Sequence, residues 1–172
     1  YPYITFFYGE DGLSRLVKIA EFDLLVNALV GFIGLKPTIE GLKKNKTVCL
    51  ANKESLVVGG ELIYKLIDQG YGNIIPIDSE HVAIDKCINA SNKKPKRLIL
   101  TASGGAFRNL AHKDLEKAKS SDALKHPTWS MGKKITIDCA SMMNKCFEII
   151  EAYYMFSKKC DKISVLLHYE SK

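Results

Sequence analysis

The segment Asp78-Ser79-Glu80-His81 puts two carboxylates two residues apart, directly after an apolar run. In extended backbone, residues i and i+2 project from the same side, so Asp78 and Glu80 can converge. Two carboxylates held together repel, and a divalent cation relieves that repulsion. Hard oxygen donors suit Mg2+ or Mn2+. D-x-E is also a common pattern, and a plain polar loop at a strand end produces it more often. A second constellation spans 138–156, DCASMMNKCFEIIEAYYMF. At helical spacing Met143, Phe147, Ile150 and Tyr154 share one face, while Ser141, Asn144, Lys145, Glu148 and Glu151 fall on the other. If the polar face lines a pocket, Lys145 and Asn144 hold an anion and Glu148 adds a third carboxylate. If it faces water, Lys145 and Glu148 are an ordinary i, i+3 pair.

Three further stretches carry chemistry more weakly. Thr101-Ala102-Ser103-Gly104-Gly105 can offer backbone N–H groups and a hydroxyl to a phosphate, or is a tight turn. KHPTWSMGKK (125–134) holds the only Trp, Trp129, among breakers and basic residues. It reads either as a lid that excludes water or as a loop pinned to the core by its ring. Asn52, Lys53 and Glu54 lie where a strand runs straight into a helix. Ligands of open α/β sheets bind at that edge, though helix starts of ordinary kind look the same. No G-x-G-x-x-G occurs, so a complete dinucleotide fingerprint is absent from the sequence.

The elements that must position these residues alternate. Apolar runs at 22–27, 47–51, 73–77, 97–101 and 163–168 read as strands, and Pro76 places the third at an edge or bulge. Helical spacing covers about 37–46, 54–69 and 81–90, with Gly70 ending the second. Residues 91–96 read as a solvated loop. This order predicts an α/β fold with a parallel or mixed sheet. The first residues, YPYITFFYGEDG, read as a strand already under way, without Met, a basic start or a cleavage pattern.

Composition narrows the class. The 172 residues are 47% hydrophobic and 26% charged, as expected of a soluble globular protein. The net charge of +6 suits an anionic partner without choosing one. The basic residues are scattered, with no recognition-helix or RNP-type pattern, which argues against nucleic acid. No apolar run approaches the roughly 18 residues of a membrane span. The five cysteines, 49, 87, 139, 146 and 160, contain no C-x-x-C pair. Cys49 and Cys87 look like small core residues, and a reducing compartment is the simpler reading.

Taken together, VNALVGFIGLKPTIEG, LANKESLVVGGEL, IIPIDSEHVAI, ILTASGGAFRNL, ALKHPTWSMGKKITID and MMNKCFEIIEAYYMF strongly resemble the 1-deoxy-D-xylulose-5-phosphate reductoisomerase family across nearly the whole chain. The resemblance implies NADPH-dependent rearrangement and reduction of 1-deoxy-D-xylulose 5-phosphate to 2-C-methyl-D-erythritol 4-phosphate, in non-mevalonate isoprenoid biosynthesis, with Mg2+ or Mn2+. It implies the C-terminal part of a Rossmann-like NADPH domain at 1–77, followed by an α/β catalytic domain at 78–172. By position it makes Asp78, Glu80 and Glu148 metal ligands and Lys53, Ser79 and Glu80 neighbours of the reacting part of the substrate. It makes Ser103, His126, Cys139, Asn144 and Lys145 substrate and phosphate contacts. Asn52, Glu54 and Gly132 match NADPH contacts, and Trp129 and Met131 lie on the flexible flap. It further implies a homodimer, a phosphosugar substrate, and a bacterial cytoplasm or a plastid-type organelle.

The sequence also departs from the family. Cys139 replaces a phosphate-contacting serine, and a thiol is a weak donor. Cys146 replaces a glycine in the metal helix, with Phe147 in place of a smaller aliphatic, and Asp85 stands where an aromatic is expected. The family's Gly-rich NADPH turn and its C-terminal helical domain have no counterpart in these residues. The expectation is therefore a central piece of such an enzyme, whose half-sheet exposes an edge. The alternative is a remnant that only binds metal or a phosphosugar.

Overall fold

The computed structural model describes all residues except 1, 2, 10, 158, 169, 171 and 172. The chain divides into two compact units, residues 1–87 and 88–172.

The first unit is built on three parallel strands in the order β1 (Leu24–Asn27), β2 (Thr47–Leu50), β3 (Asn73–Pro76). Leu24 pairs with Thr47 and Thr47 with Asn73. Central β2 is the most buried: Val48 and Leu50 are fully enclosed with Leu42, Leu56 and Ile63. Pro76 sits on an edge strand, where its missing N–H costs no ladder bond. β1 forms the other edge, with Leu24 and Val26 exposed. The helices are α1 (Gly12–Ile19), α2 (Leu35–Lys43) and α3 (Lys53–Asp68). Pro37 lies in the first turn of α2, after a 3-10 turn at Phe32–Gly34. Asn45, with φ of 57°, ends that helix earlier than its spacing predicts. α3 closes as a Schellman motif: Gly70 N–H donates to Ile67 and Tyr71 N–H to Leu66.

Two expectations fail here. Residues 3–9 form no strand, and Tyr3, Phe6 and Tyr8 are exposed. Aromatic and β-branched residues fit a pleated surface, but a strand needs a ladder partner and none is present among the described residues. The short helix α1 that follows has no counterpart in the sequence reading. Cys49 is half-buried and Cys87 exposed, so neither is a core residue. In α4 (Ser79–Asn89) only His81 is buried, and Cys87 falls about 240° around the helix from it. None of the five cysteines is in a disulfide.

In the second unit, β4 (Leu98–Ala102) pairs in parallel with β5 (Ile163–Leu167), Leu98 opposite Ile163. β4 alternates: Leu98, Leu100 and Ala102 are buried and Ile99 and Thr101 are exposed. α5 (Ser120–Ala123) is one turn long, and α6 (Lys133–Ala140) and α7 (Met143–Met155) follow. The stretch read as one helix from 138 is two helices, because Met142 is left-handed with φ of 61°. The fold is α/β, as expected. No helix among the described residues is long and apolar enough to cross a membrane.

Candidate functional site

In the first unit the candidate residues gather at the carboxyl ends of β2 and β3. β2 ends at Leu50, and Asn52 then caps α3, accepting from the Ser55 N–H at 3.1 Å. The Asn52 amide donates to the Leu29 and Gly31 carbonyls at 2.8 and 2.9 Å and to Glu54 Oε2 at 3.0 Å. Asn27, at the end of β1, bonds Gly34 O and Thr38 Oγ1 at 2.8 and 2.7 Å. Two buried asparagines thus tie down the loop after β1. Asn27 escapes sequence reading because a polar residue closing an apolar run looks like an ordinary strand end.

Lys53, the first residue of α3, is buried and reaches Asp78 Oδ2 at 2.5 Å. His81, fully buried, places Nδ1 3.2 Å from the same oxygen. Burial alone would raise the Asp78 carboxyl. The hydrogen bond from His81 and the charge and hydrogen bond of Lys53 outweigh it and bring it down to about 2. Asp78 is therefore an anion bracketed by Lys53 and His81. His81 belongs to the segment the sequence singles out, yet its i+3 spacing to Asp78 is the only signal of its part.

Asp78 and Glu80 do not meet through extended chain, which corrects the sequence expectation. Ser79 and Glu80 already belong to the first turn of α4, and the Val82 N–H donates to the Asp78 carbonyl at 2.9 Å. The helix start brings the two side chains together instead, with a carboxylate oxygen of each within 4.8 Å of the other. Ser79 Oγ donates to Glu80 Oε2 at 2.5 Å.

In the second unit the candidates surround the carboxyl end of β4. Gly104 is left-handed with φ of +75°. Gly105 lies against the last turn of α6, where a Cβ would fall 2.0 Å from the Cys139 carbonyl oxygen. That close approach sets Ser103 and Cys139 on adjoining backbones. The Lys145 ammonium donates to Thr101 O at 2.6 Å and to Glu148 Oε2. Asn144 Nδ2 donates to Glu148 Oε1 at 2.6 Å.

These contacts reverse the solvated reading of α7. Asn144, Lys145, Glu148 and Glu151 are all buried, while Met143 and Tyr153 are more than 40% exposed. The polar face of this helix points inward. His126 is tied to the loop that follows it: Nδ1 accepts the Thr128 N–H at 3.2 Å and the Trp129 N–H at 2.9 Å. Burial and the Arg108 cation hold the ring below the usual histidine range, against a hydrogen bond to the Gly104 backbone. Trp129 is 54% exposed, which excludes it as an anchor in the core. Met131 is exposed as well, and Gly132 occupies the N-cap position of α6.

Residues 2–60 match the family model for 1-deoxy-D-xylulose 5-phosphate reductoisomerase, and residues 74–156 match that for its C-terminal domain. The Macrococcus caseolyticus 1-deoxy-D-xylulose 5-phosphate reductoisomerase is 52% identical over 165 residues, 95% of this chain and 44% of its own. The Thermodesulfovibrio yellowstonii enzyme of that name is 48% identical over 164 residues, 95% of this chain and 43% of its own. The chain thus spans less than half the length of these curated relatives. A crystal structure of DOX-P reductoisomerase in complex with NADPH, fosmidomycin and magnesium superposes with a TM-score of 0.85 at 42% identity, over 95% of this chain and 43% of that one. The Zymomonas mobilis enzyme in complex with NADPH gives 0.80 at 37% identity, over 95% of this chain and 42% of that one. With both units matched and about half of the aligned residues identical to those relatives, the chain belongs to the 1-deoxy-D-xylulose 5-phosphate reductoisomerase family.

Proposed function

We propose that this chain carries out, within the protein it belongs to, the NADPH-dependent isomerisation and reduction of 1-deoxy-D-xylulose 5-phosphate to 2-C-methyl-D-erythritol 4-phosphate, in non-mevalonate isoprenoid biosynthesis. The observation that carries the reading is the inward polar stripe of α7. Asn144, Lys145 and Glu148 are buried and hydrogen-bonded beneath the end of β4, although a helix packed only for stability would turn them outward.

We assign residues 1–77 to the NADPH domain and 78–172 to the catalytic domain. Asn52 and Glu54 sit at a helix start on the carboxyl edge of a parallel sheet, a place that fits a dinucleotide. Gly132, at the start of α6, joins them by its family position. Asp78, Glu80 and Glu148 are assigned to one divalent cation, Mg2+ or Mn2+, and their all-carboxylate donor set suits such a hard ion. When bound, the cation polarises the substrate carbonyl and NADPH supplies the hydride. The protein residues do the rest. Asp78, ionised, orients the Lys53 ammonium, so Lys53 Nζ can donate to a substrate oxygen alongside Ser79. The Lys145 ammonium, the Asn144 amide, the Ser103 hydroxyl, the Cys139 thiol and His126 receive the phosphosugar. The loop bearing Trp129 and Met131 closes to exclude water. The reading extends to a homodimer in a bacterial cytoplasm or plastid-type organelle.

Titration of Mn2+ into the full-length protein and its Asp78→Asn variant tests the assignment. At least a tenfold loss of affinity is expected when a ligating carboxylate is removed, on the order of 1.4 kcal/mol or more. Equal affinity in the two proteins sinks it.

A further inference from the structure

Arg108 has no role in the family assignment, yet it touches Ser103 of the proposed substrate group and the two glycines that follow it. Its backbone N–H donates to Gly105 O at 3.1 Å, closing the turn that follows β4. Its guanidinium Nη1 returns to the Ser103 carbonyl at 2.9 Å. Its aliphatic stem lies on Gly104, so that a Cβ there would fall 2.9 Å from Arg108 Cβ and 3.1 Å from Cδ. Its charge also acts on the ring of His126.

The state of His126 fixes what that charge does. Backbone N–H groups only donate, so Nδ1 must accept from both Thr128 and Trp129. A proton on Nδ1 would turn the acceptor into a donor facing two donors, and the turn leading to Trp129 would open. A neighbouring guanidinium, which never deprotonates, disfavours that proton.

We propose that Arg108 is a positioning residue, acting through Ser103, Gly104 and His126 to hold the 103–105 turn and the root of the Trp129 loop in place for an anionic phosphosugar. The proposal rests on the functional reading above. It requires two properties of Arg108: a permanent cation, and a planar fork whose stem covers Gly104.

The test uses the full-length protein with Arg108→Met and Arg108→Lys. His126 is followed by NMR among only four histidines of this chain. Michaelis constants are measured separately for the phosphosugar and for NADPH. Arg108→Met is expected to raise the phosphosugar KM about tenfold with the NADPH KM within about twofold, and to raise the His126 midpoint. Arg108→Lys keeps the cation, so its His126 midpoint stays as in wild type, while loss of the fork raises the phosphosugar KM about threefold. An Arg108→Met protein with an unchanged phosphosugar KM, or with an unmoved His126 midpoint, overturns the proposal. If Arg108→Met does not fold by circular dichroism, Arg108→Lys decides: a raised phosphosugar KM supports the proposal and a wild-type value overturns it. A wild-type protein without turnover sinks the functional reading only, because the histidine titration still reports on Arg108.

Discussion

Gly105→Ala probes the joint between the 103–105 turn and α6. A Cβ at position 105 would lie 2.0 Å from Cys139 O, 2.3 Å from Cys139 C and 2.5 Å from Ala140 Cα. Ordinary contact begins near 3.4 Å, so the helix end must retreat by about 1.4 Å. All three atoms are backbone, so no side-chain rotation relieves the clash. Overpacking of a close-packed interior typically costs about 1–3 kcal/mol, and a rigid backbone target puts this case near 3. Gly105 has no positive φ, so Ala also gains about 0.4–1 kcal/mol from its stiffer unfolded chain. The net expectation is a loss of about 2 kcal/mol. In a unit of fewer than 100 residues that lowers the melting midpoint by roughly 8–16 °C. Urea and thermal unfolding followed by circular dichroism measure it. Gly132→Ala is the control, because nothing lies within 4 Å of its Cβ position and its φ is −58°. Its cap penalty and its entropy gain are of similar size, so its stability should stay within about 0.5 kcal/mol of wild type. A Gly105→Ala protein as stable as wild type refutes the reasoning, since α6 would then not be seated on the turn.

Two further outcomes follow from the same geometry. The Asp78 carboxyl falls from the ordinary aspartate value of 3.8 to about 2 in the fold, so its contribution is present above about pH 4 and is lost as pH falls toward 2. The difference is on the order of 2 kcal/mol; in chelator, Asp78→Asn should lower stability at neutral pH by at least that much and flatten the acid limb. Equal acid limbs in the two proteins would mean that Lys53 and His81 do not hold an anion. Cys139→Ser replaces a weak donor with a strong one on the backbone that adjoins Ser103. Calorimetry with the phosphosugar should show severalfold tighter binding, about 0.5–1.5 kcal/mol for one hydrogen bond, and no gain would place the phosphate elsewhere.

The strands were legible because burial leaves a plain mark. Short apolar runs ending near Asn27, Leu50 and Pro76 became β1, β2 and β3, and Pro76 announced an edge. Gly70 announced the end of α3 through the only conformation that lets its Schellman bonds form. Failures occurred where local pattern and long-range pairing disagree. YITFFY has strand propensity but no ladder partner among the described residues, and α1 is a short helix opened by Gly12 with no side-chain cap. Asp78 and Glu80 do meet, but a helix start, not an extended chain, turns them together. Asn27 and Arg108 could not be found from spacing at all. Each donates to a backbone carbonyl five or seven residues away, and such a partner leaves no trace in residue type.

The orientation of α7 is the point at which sequence alone could not decide, and its cost explains why it matters. Periodicity identifies two faces but cannot say which is inside, and the usual rule would bury Met143, Phe147 and Tyr154 and expose Lys145 and Glu148. The structure instead buries the charged pair, with Lys145 and Glu148 at 5% and 1% exposure. Removing such a pair from water carries a desolvation penalty of several kcal/mol per ion, and a well-packed apolar substitute is often neutral or more stable. Stability therefore gives no reason to keep it. The penalty is reduced by pairing: the two Glu148 oxygens accept from Asn144 and Lys145, and Lys145 also donates to Thr101 O. A polar cluster held by such bonds at a strand's carboxyl end has its side chains already oriented when an anion or a cation arrives. Preorganisation for a ligand is the gain that a solvated face could not supply, and it makes this stripe the strongest support in the molecule for reading it as a site.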